Sequence, residues 1–396
     1  MYTSTKDIVL PTTITGSLPR PAWFTENLAG RPFRAAMTDA KFREQYLDGV
    51  SAAIRDQERA GLDIVSDGDA RFDIDVGGRS WMGYVPDRLG GMSPEERSQG
   101  PVSGRHGSMP SGSSPGDILF EVREARMLPV VSGKLGPGPL EFAQLWRAAQ
   151  QMTEKPVKIG CISPEQLANF LINRFYEDED EIFDDLADIL NGEFHRVADS
   201  GAALFQVEEP CTHRVEFTEP DADAKARRSV EIFNRSVAGL RDKLEVWCHT
   251  CWGNPAQQRT YDPNKRYDPA LEYMNELDAD VLTFECASTG GRDIEAIGKK
   301  ITKPKIAIGV IDHHTLQVER PEEVAALIRK ALETIPAERL VISTDCGFGR
   351  EGMSRRHAFY KMVSLARGTN IVRKELGVPE AYIAATDAAF ALEDVG

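Results

Sequence analysis

The sequence predicts a single (β/α)8 barrel of the α/β class, and three observations carry that expectation. Short apolar runs alternate with amphipathic helical stretches along most of the chain, and strands that alternate with helices imply a parallel sheet. Strand-like runs occur near residues 11–15, 62–66, 156–161, 203–207, 244–248, 280–284, 305–311 and 340–344, enough for one closed barrel. Nearly every run ends on a polar residue. A closed barrel uses the C-terminal ends of all its strands, whereas the alternative, an open doubly wound sheet, uses mainly its switch point.

The elements repeat one grammar: amphipathic helix, small-residue turn, apolar strand, polar end. Residues 42–60 place Phe42, Tyr46, Val50, Ala53 and Ile54 at helical spacing. Gly61 stands where a helix C-cap glycine belongs. Leu62-Asp63-Ile64-Val65 follows and runs into Ser66-Asp67-Gly68-Asp69. Residues 77–118 then interrupt the pattern with Gly, Ser and Pro, as in Ser111-Gly112-Ser113-Ser114-Pro115-Gly116. A stretch of this length is expected to be a lid, a subunit contact or a plain surface loop. A ninth apolar run, 127–131, is assigned to the same excursion. Residues 77–135 are thus read as an insertion within one domain spanning 1–396.

The acidic run 177–181 suits a helix start, where negative charge meets the positive end of the dipole. Ile182, Phe183, Leu186, Ile189, Leu190 and Val197 then line one helical face. Gly201 leads into Ala203-Leu204-Phe205-Gln206-Val207, which ends on Glu208-Glu209-Pro210. A third copy passes from residues 271–277 through Asp278-Ala279-Asp280 into Val281-Leu282-Thr283-Phe284.

With 396 residues, 41% of them hydrophobic, the chain can bury a large core. A net charge of -15 disfavours binding to a nucleic-acid backbone. No apolar run approaches the roughly 18–20 residues that span a bilayer, and the first ten residues lack the order of a signal peptide. Six cysteines in so long a chain are no disulfide framework. The expected compartment is a reducing, cytoplasmic one.

Four of the runs end on metal-ligand types of residue. Val246-Trp247-Cys248 leads to His249-Thr250-Cys251, and Val281-Leu282-Thr283-Phe284 leads to Glu285. Ile306-Ala307-Ile308-Gly309-Val310 leads to Asp312-His313-His314, and Leu340-Val341-Ile342-Ser343 leads to Thr344-Asp345-Cys346. Residues two apart on a strand share a face, so His249 and Cys251 both face the barrel mouth. Glu285 and Cys346 converge with them only if the barrel closes. Thiolate and imidazole favour zinc over magnesium or calcium. Taken alone, the His-x-Cys pair reads more readily as two buried structural residues than as ligands, because Cys is among the most buried residue types. Cys248 and Cys286 fall out of phase, toward the barrel wall, and Cys161 and Cys211 read as structural. Zinc neutralised by two thiolates and a carboxylate is a weak Lewis acid toward carbonyls. It is better suited to lowering a substrate thiol's pKa from about 8.5, which points to S-alkylation rather than hydrolysis.

These pieces resemble the C-terminal catalytic barrel of cobalamin-independent methionine synthase. The resemblance rests on Thr12-Thr13-Ile14-Thr15-Gly16-Ser17, Gly68-Asp69, Glu208-Glu209-Pro210, His249-Thr250-Cys251, Glu285, Gly309-Val310-Ile311-Asp312-His313-His314 and Asp345-Cys346-Gly347. It implies that His249, Cys251, Glu285 and Cys346 bind Zn2+. It implies that Gly16 and Ser17 bind the homocysteine carboxylate, and that Asp69 and Glu208 meet its amino group. It assigns proton transfer to His314, beside Asp312. The family's pterin-stacking tryptophan falls on Phe170, and Glu165 replaces a neutral residue nearby. Full-length members carry a second, N-terminal barrel, whereas this sequence reads as one.

The resemblance therefore implies a zinc-dependent methyltransferase that forms methionine from homocysteine. The donor would be 5-methyltetrahydrofolate or a methylcorrinoid protein, and a homo-oligomer is compatible with it. An epoxyalkane:coenzyme M transferase-like enzyme and a corrinoid-linked methyltransferase are the rivals. A coenzyme M substrate would need a cation for its sulfonate, and Arg20 and Arg71 are the candidates.

Overall fold

The computed structural model describes residues 3–73, 83–98, 128–252, 266–349 and 353–387. Its strands in chain order are β1 (Val65–Ser66), β2 (Gly90–Ser98), β3 (Leu128–Gly136), β4 (Val157–Lys158), β5 (Gly160–Ile162), β6 (Ile172–Asn173), β7 (Leu204–Glu208), β8 (Glu245–His249), β9 (Val281–Phe284), β10 (Lys305–Gly309) and β11 (Leu340–Ser343). A parallel sheet runs β5-β7-β8-β9-β10-β11.

Backbone hydrogen bonds carry this sheet round into a ring. Thr13 N–H donates to the Ile342 carbonyl at 3.0 Å, and Ile342 N–H donates to the Pro11 carbonyl at 2.9 Å. On its other side the same segment accepts from Asp63 and Ile64 at the Thr12 carbonyl. β1 then pairs with β4 in parallel. The run expected at 156–161 is divided: β4 serves β1, and β5, two residues on, serves β7. The expected (β/α)8 barrel is thus present, with the run at 11–15 reduced to a single bridge between Thr12 and Ile342.

The ninth run lies outside the barrel, in a three-stranded sheet ordered β2-β3-β6. The rest of the Gly- and Ser-rich stretch at 77–118, apart from 83–98, falls outside the described residues.

The two faces of each strand go to different cores, as the period of two requires. Ile64, Leu204, Trp247, Val281, Ala307 and Val341 fill the barrel interior. Their neighbours Phe205, Val246, Leu282, Ile306 and Leu340 join the outer core under the helices. Cys248 and Cys286 belong to that outer core, in the wall. Residues 3–5 close the N-terminal end of the barrel. There the Glu245 carboxylate accepts from the amides of Thr3 (2.9 Å) and Ser4 (2.8 Å) and from the Thr5 hydroxyl (2.8 Å).

The helices begin and end where the local chemistry dictates. Asp39 caps Ala40–Ala60 by accepting from the amides of Lys41 and Phe42, and Gly61 ends it at φ 88°. Asp178 caps Glu179–Asp199, whose first turn is wholly acidic, as expected of residues 177–181. Arg355–Glu375 ties the chain's end to its start: Arg373 Nη2 reaches Asp63 Oδ2 at 2.6 Å, and Arg355 pairs with Asp56. Among the described residues no helix is long and apolar enough to cross a membrane.

Candidate metal and substrate centre

The C-terminal end of β8 supplies His249, and the turn after it supplies Cys251. Cys346 comes from the turn after β11. One ligand atom from each lies within 4.8 Å of the others, and all three residues are buried. The two sulfurs are 3.7 Å apart. His249 Nδ1 is held by Thr283 Oγ1 of β9 at 2.6 Å. Its Nε2 is buried without a hydrogen-bond partner, 3.6 Å from Glu208 Oε2. A ring nitrogen fixed by an oxygen on one side and left bare on the other is how a metal-ligating imidazole is oriented. Burial opposes the charged ring, but Glu208 and Cys346 outweigh it and raise the His249 pKa.

Glu285, the fourth residue expected here, is close by but turned aside. Its carboxylate accepts from the Trp252 amide at 3.0 Å and the Ser288 hydroxyl at 2.7 Å. It groups with His313 and His314 rather than with the two thiols. Burial pushes its carboxyl up, against the pull of those two hydrogen bonds.

Asp345 connects the two halves of the centre. Its carboxylate accepts from Cys286 (2.8 Å), Ala287 (2.9 Å) and Ser288 (2.7 Å), and so fastens the turn that carries Glu285. Cys346 is its neighbour in sequence. Tyr267 makes a second connection: its hydroxyl donates to the Thr250 carbonyl (3.2 Å) and accepts from the Glu285 amide (3.1 Å). His213 Nε2 lies 3.0 Å from the Cys251 carbonyl.

Gly16 and Ser17 pack directly on the Cys346 turn. The Ser17 carbonyl accepts from Phe348 (2.7 Å) and Gly349 (3.2 Å). A Cβ on Gly347 would stand 2.6 Å from the Ser17 amide, so only glycine allows this approach.

The two acids expected to meet an ammonium group differ. Glu208, at the end of β7, is half-buried beside His249. Asp69 sits in the left-handed region at φ 53° and is already paired with the buried Arg71, Nη1 to Oδ1 at 3.0 Å. Arg71 also donates to the Gly160 carbonyl at 2.7 Å. Arg20 is equally engaged, donating to the carbonyls of Phe24 and Glu26 and to Asn27 Oδ1.

His314 Nδ1 lies 3.0 Å from Asp312 Oδ1, which also accepts the His314 amide. Burial works against its charge, but Asp312 and Glu285 prevail and lift its pKa to about 8. Behind it, the fully buried Lys361 donates to the Asp312 carbonyl (3.0 Å) and to Glu319 (2.9 Å). Glu319 in turn accepts from the Asp312 amide at 3.0 Å. Both backbone poles of Asp312 are therefore held.

Phe170 is half-buried against the outer core, two residues past the short helix Pro164–Ala168. Glu165, on that helix, groups with Glu209 and Cys211. Glu209 holds its own turn by accepting from Cys211 (2.9 Å) and Thr212 (3.3 Å). Burial raises the Cys211 thiol well above its ordinary range, as befits a structural cysteine.

Sequence reasoning passed over Lys158, Gln206, Tyr267, Lys361 and Glu319. Lys158 alone carried a signal, a charged residue in the inward phase of an apolar strand.

A family model described as the catalytic domain of cobalamin-independent synthase matches residues 121–368. The chain is 31% identical to a methionine synthase of Thermococcus kodakarensis over 93% of its own length and 95% of the relative's. It is 28% identical to a methionine synthase of Saccharolobus solfataricus, covering 93% and 96%. Among solved structures, a B12-independent methionine synthase from Shewanella sp. W3-18-1, in complex with selenomethionine, superposes with a TM-score of 0.75 at 25% identity, covering 93% of this chain and 99% of that one.

Proposed function

The chain belongs to the cobalamin-independent methionine synthase family and is a methyltransferase that forms methionine, and we propose that it does so by methylating homocysteine at a zinc centre held by His249, Cys251, Cys346 and Glu285. The observation that carries the reading is the bare, buried Nε2 of His249 beside two thiols 3.7 Å apart. Such a donor set suits zinc. Zinc held there would supply the acidity that ionises a thiol at neutral pH. Glu285, which accepts from the amide of Trp252, the residue after Cys251, would be the fourth residue to hold it.

The protein's own groups do the rest. Glu208 receives the substrate ammonium, with Asp69 in a lesser role because Arg71 already shares its charge. Gly16 and Ser17 receive the carboxylate. These contacts hold the sulfur in line with the methyl carbon, so that the S–C bond forms as the bond from methyl to donor breaks. His314, held by Asp312, gives a proton to the leaving group. The donor is methyltetrahydrofolate, with Phe170 against its ring, and a methylcorrinoid protein is the alternative that donor assays separate. The site of action is the cytoplasm.

The engagement of both Arg20 and Arg71 within the fold argues against a sulfonate substrate such as coenzyme M. Zinc K-edge absorption on zinc-loaded protein tests the reading. Homocysteine is expected to add one sulfur to the zinc shell and coenzyme M none. Absence of bound zinc, or entry of coenzyme M alone, overturns it.

A further inference from the structure

Lys158 lies inside the barrel, in the inward phase of β4, with 2% of its surface exposed. A lysine so placed carries a heavy desolvation cost. Burial draws its pKa down to about 7, against the pull of Glu208 and Asp69. It rests 4.5 Å above the Trp247 ring and donates to Gln206 Oε1 at 2.8 Å.

That bond acts with two others on a second side chain. In its ammonium form Lys158 donates and cannot accept, and the Gln206 amide turns its oxygen toward it. Both amide hydrogens then point the other way. One goes to the Thr15 carbonyl and one to Glu208 Oε1, each at 2.6 Å. Thr15 leads directly into Gly16 and Ser17. Glu208 stands 3.6 Å from His249 Nε2. A single buried amide on β7, oriented by β4, thereby ties both arms of the amino-acid subsite together.

We propose that Lys158 and Gln206 are positioning residues that lock the 15–17 segment and Glu208 in one register, and so set the affinity for the amino-acid end of the substrate rather than the binding of its sulfur. The proposal rests on the assignment of Glu208, Gly16 and Ser17 to that end. Without Lys158 the Gln206 oxygen loses its buried partner, and the amide is left held only by its bonds to Thr15 and Glu208, so both arms loosen.

Calorimetry on the zinc-loaded protein separates the two ends of the ligand. Homocysteine carries both, methionine carries the amino-acid end without the thiol, and propanethiol carries the thiol without the amino-acid end. In K158M and Q206L, homocysteine and methionine are expected to bind about tenfold or more weakly, the effect of misplacing a charge-assisted hydrogen bond. Propanethiol binding and zinc content are expected to stay as in the wild type. A uniform loss of all three ligands, unchanged methionine affinity, or failure of both variants to fold would overturn the proposal and leave the pair a purely structural one. If the wild-type protein binds propanethiol as tightly as homocysteine and ignores methionine, the subsite assignment itself falls, which is a separate outcome.

Discussion

Asp345 occupies the space that the missing side chain of Gly309 leaves: a Cβ there would stand 2.0 Å from Asp345 Oδ1. β10 is thus bare where the carboxylate crosses from the end of β11 to the turn after β9. Through it, the residue preceding Cys346 sets the turn that carries Glu285.

Gly309→Ala is therefore expected to push Asp345 off that turn. Overpacking of this kind costs about 1–3 kcal/mol, and zinc affinity should fall with it. Urea melts and zinc competition with a chelating dye measure the two effects on the same variant. A variant with native stability and native zinc affinity would show that the crossing is not constrained.

Cys346→Ser removes one of the two adjacent sulfurs. Zinc affinity is expected to fall by more than about 100-fold, beyond what loss of an outer-shell partner costs. Equilibrium dialysis reads this directly, and retention of stoichiometric zinc at low free metal would take Cys346 out of the ligand set.

His314→Asn is expected to keep zinc and slow turnover by about 100-fold or more, the usual worth of a positioned acid. Single-turnover methyl transfer distinguishes this from slow product release. An unchanged rate would leave His314 without an acid role.

The same histidine has a pH signature. Its pKa is raised from 6.5 to about 8, so the native protein holds its proton more tightly than the unfolded chain does. The stabilisation is complete below about 6.5 and is lost as pH rises through about 8. NMR titration of the metal-free protein should find the imidazole near 8, and Asp312→Asn should lower it toward the ordinary value. A midpoint unmoved by that substitution would exclude Asp312 as the cause.

Lys361→Met leaves Glu319 without its cation in a largely buried place. Removal of one partner from such a pair costs about 3–5 kcal/mol when burial is complete, and somewhat less here because the Glu319 side chain is 15% exposed. Thermal melting should register the loss. Turnover should slow while zinc is retained, since Asp312 loses the contact at its carbonyl and the Glu319 that holds its amide loses its cation. A variant that melts and turns over like the wild type would refute that linkage.

What the sequence by itself determined follows from short-range regularities. The period of two in each strand assigns Trp247 inward and Cys248 outward, and places His249 and Cys251 at one level. Caps such as Asp39, Asp178 and Gly61 act within a single turn. Eight such strands with polar ends leave a closed barrel as the consistent solution. The tertiary structure decided what depends on residues far apart or on burial. Asp69 is paired with Arg71 because the guanidinium is buried, where an unpaired charge is costly. Glu285 turns to Trp252 and Ser288 because those donors happen to lie within reach of its side chain. Lys158, Gln206 and Glu208 form one network across β4 and β7, 48 residues apart in the chain. No local pattern specifies such a contact, because side-chain rotamers of nearly equal intrinsic energy are chosen by the partners that folding brings beside them.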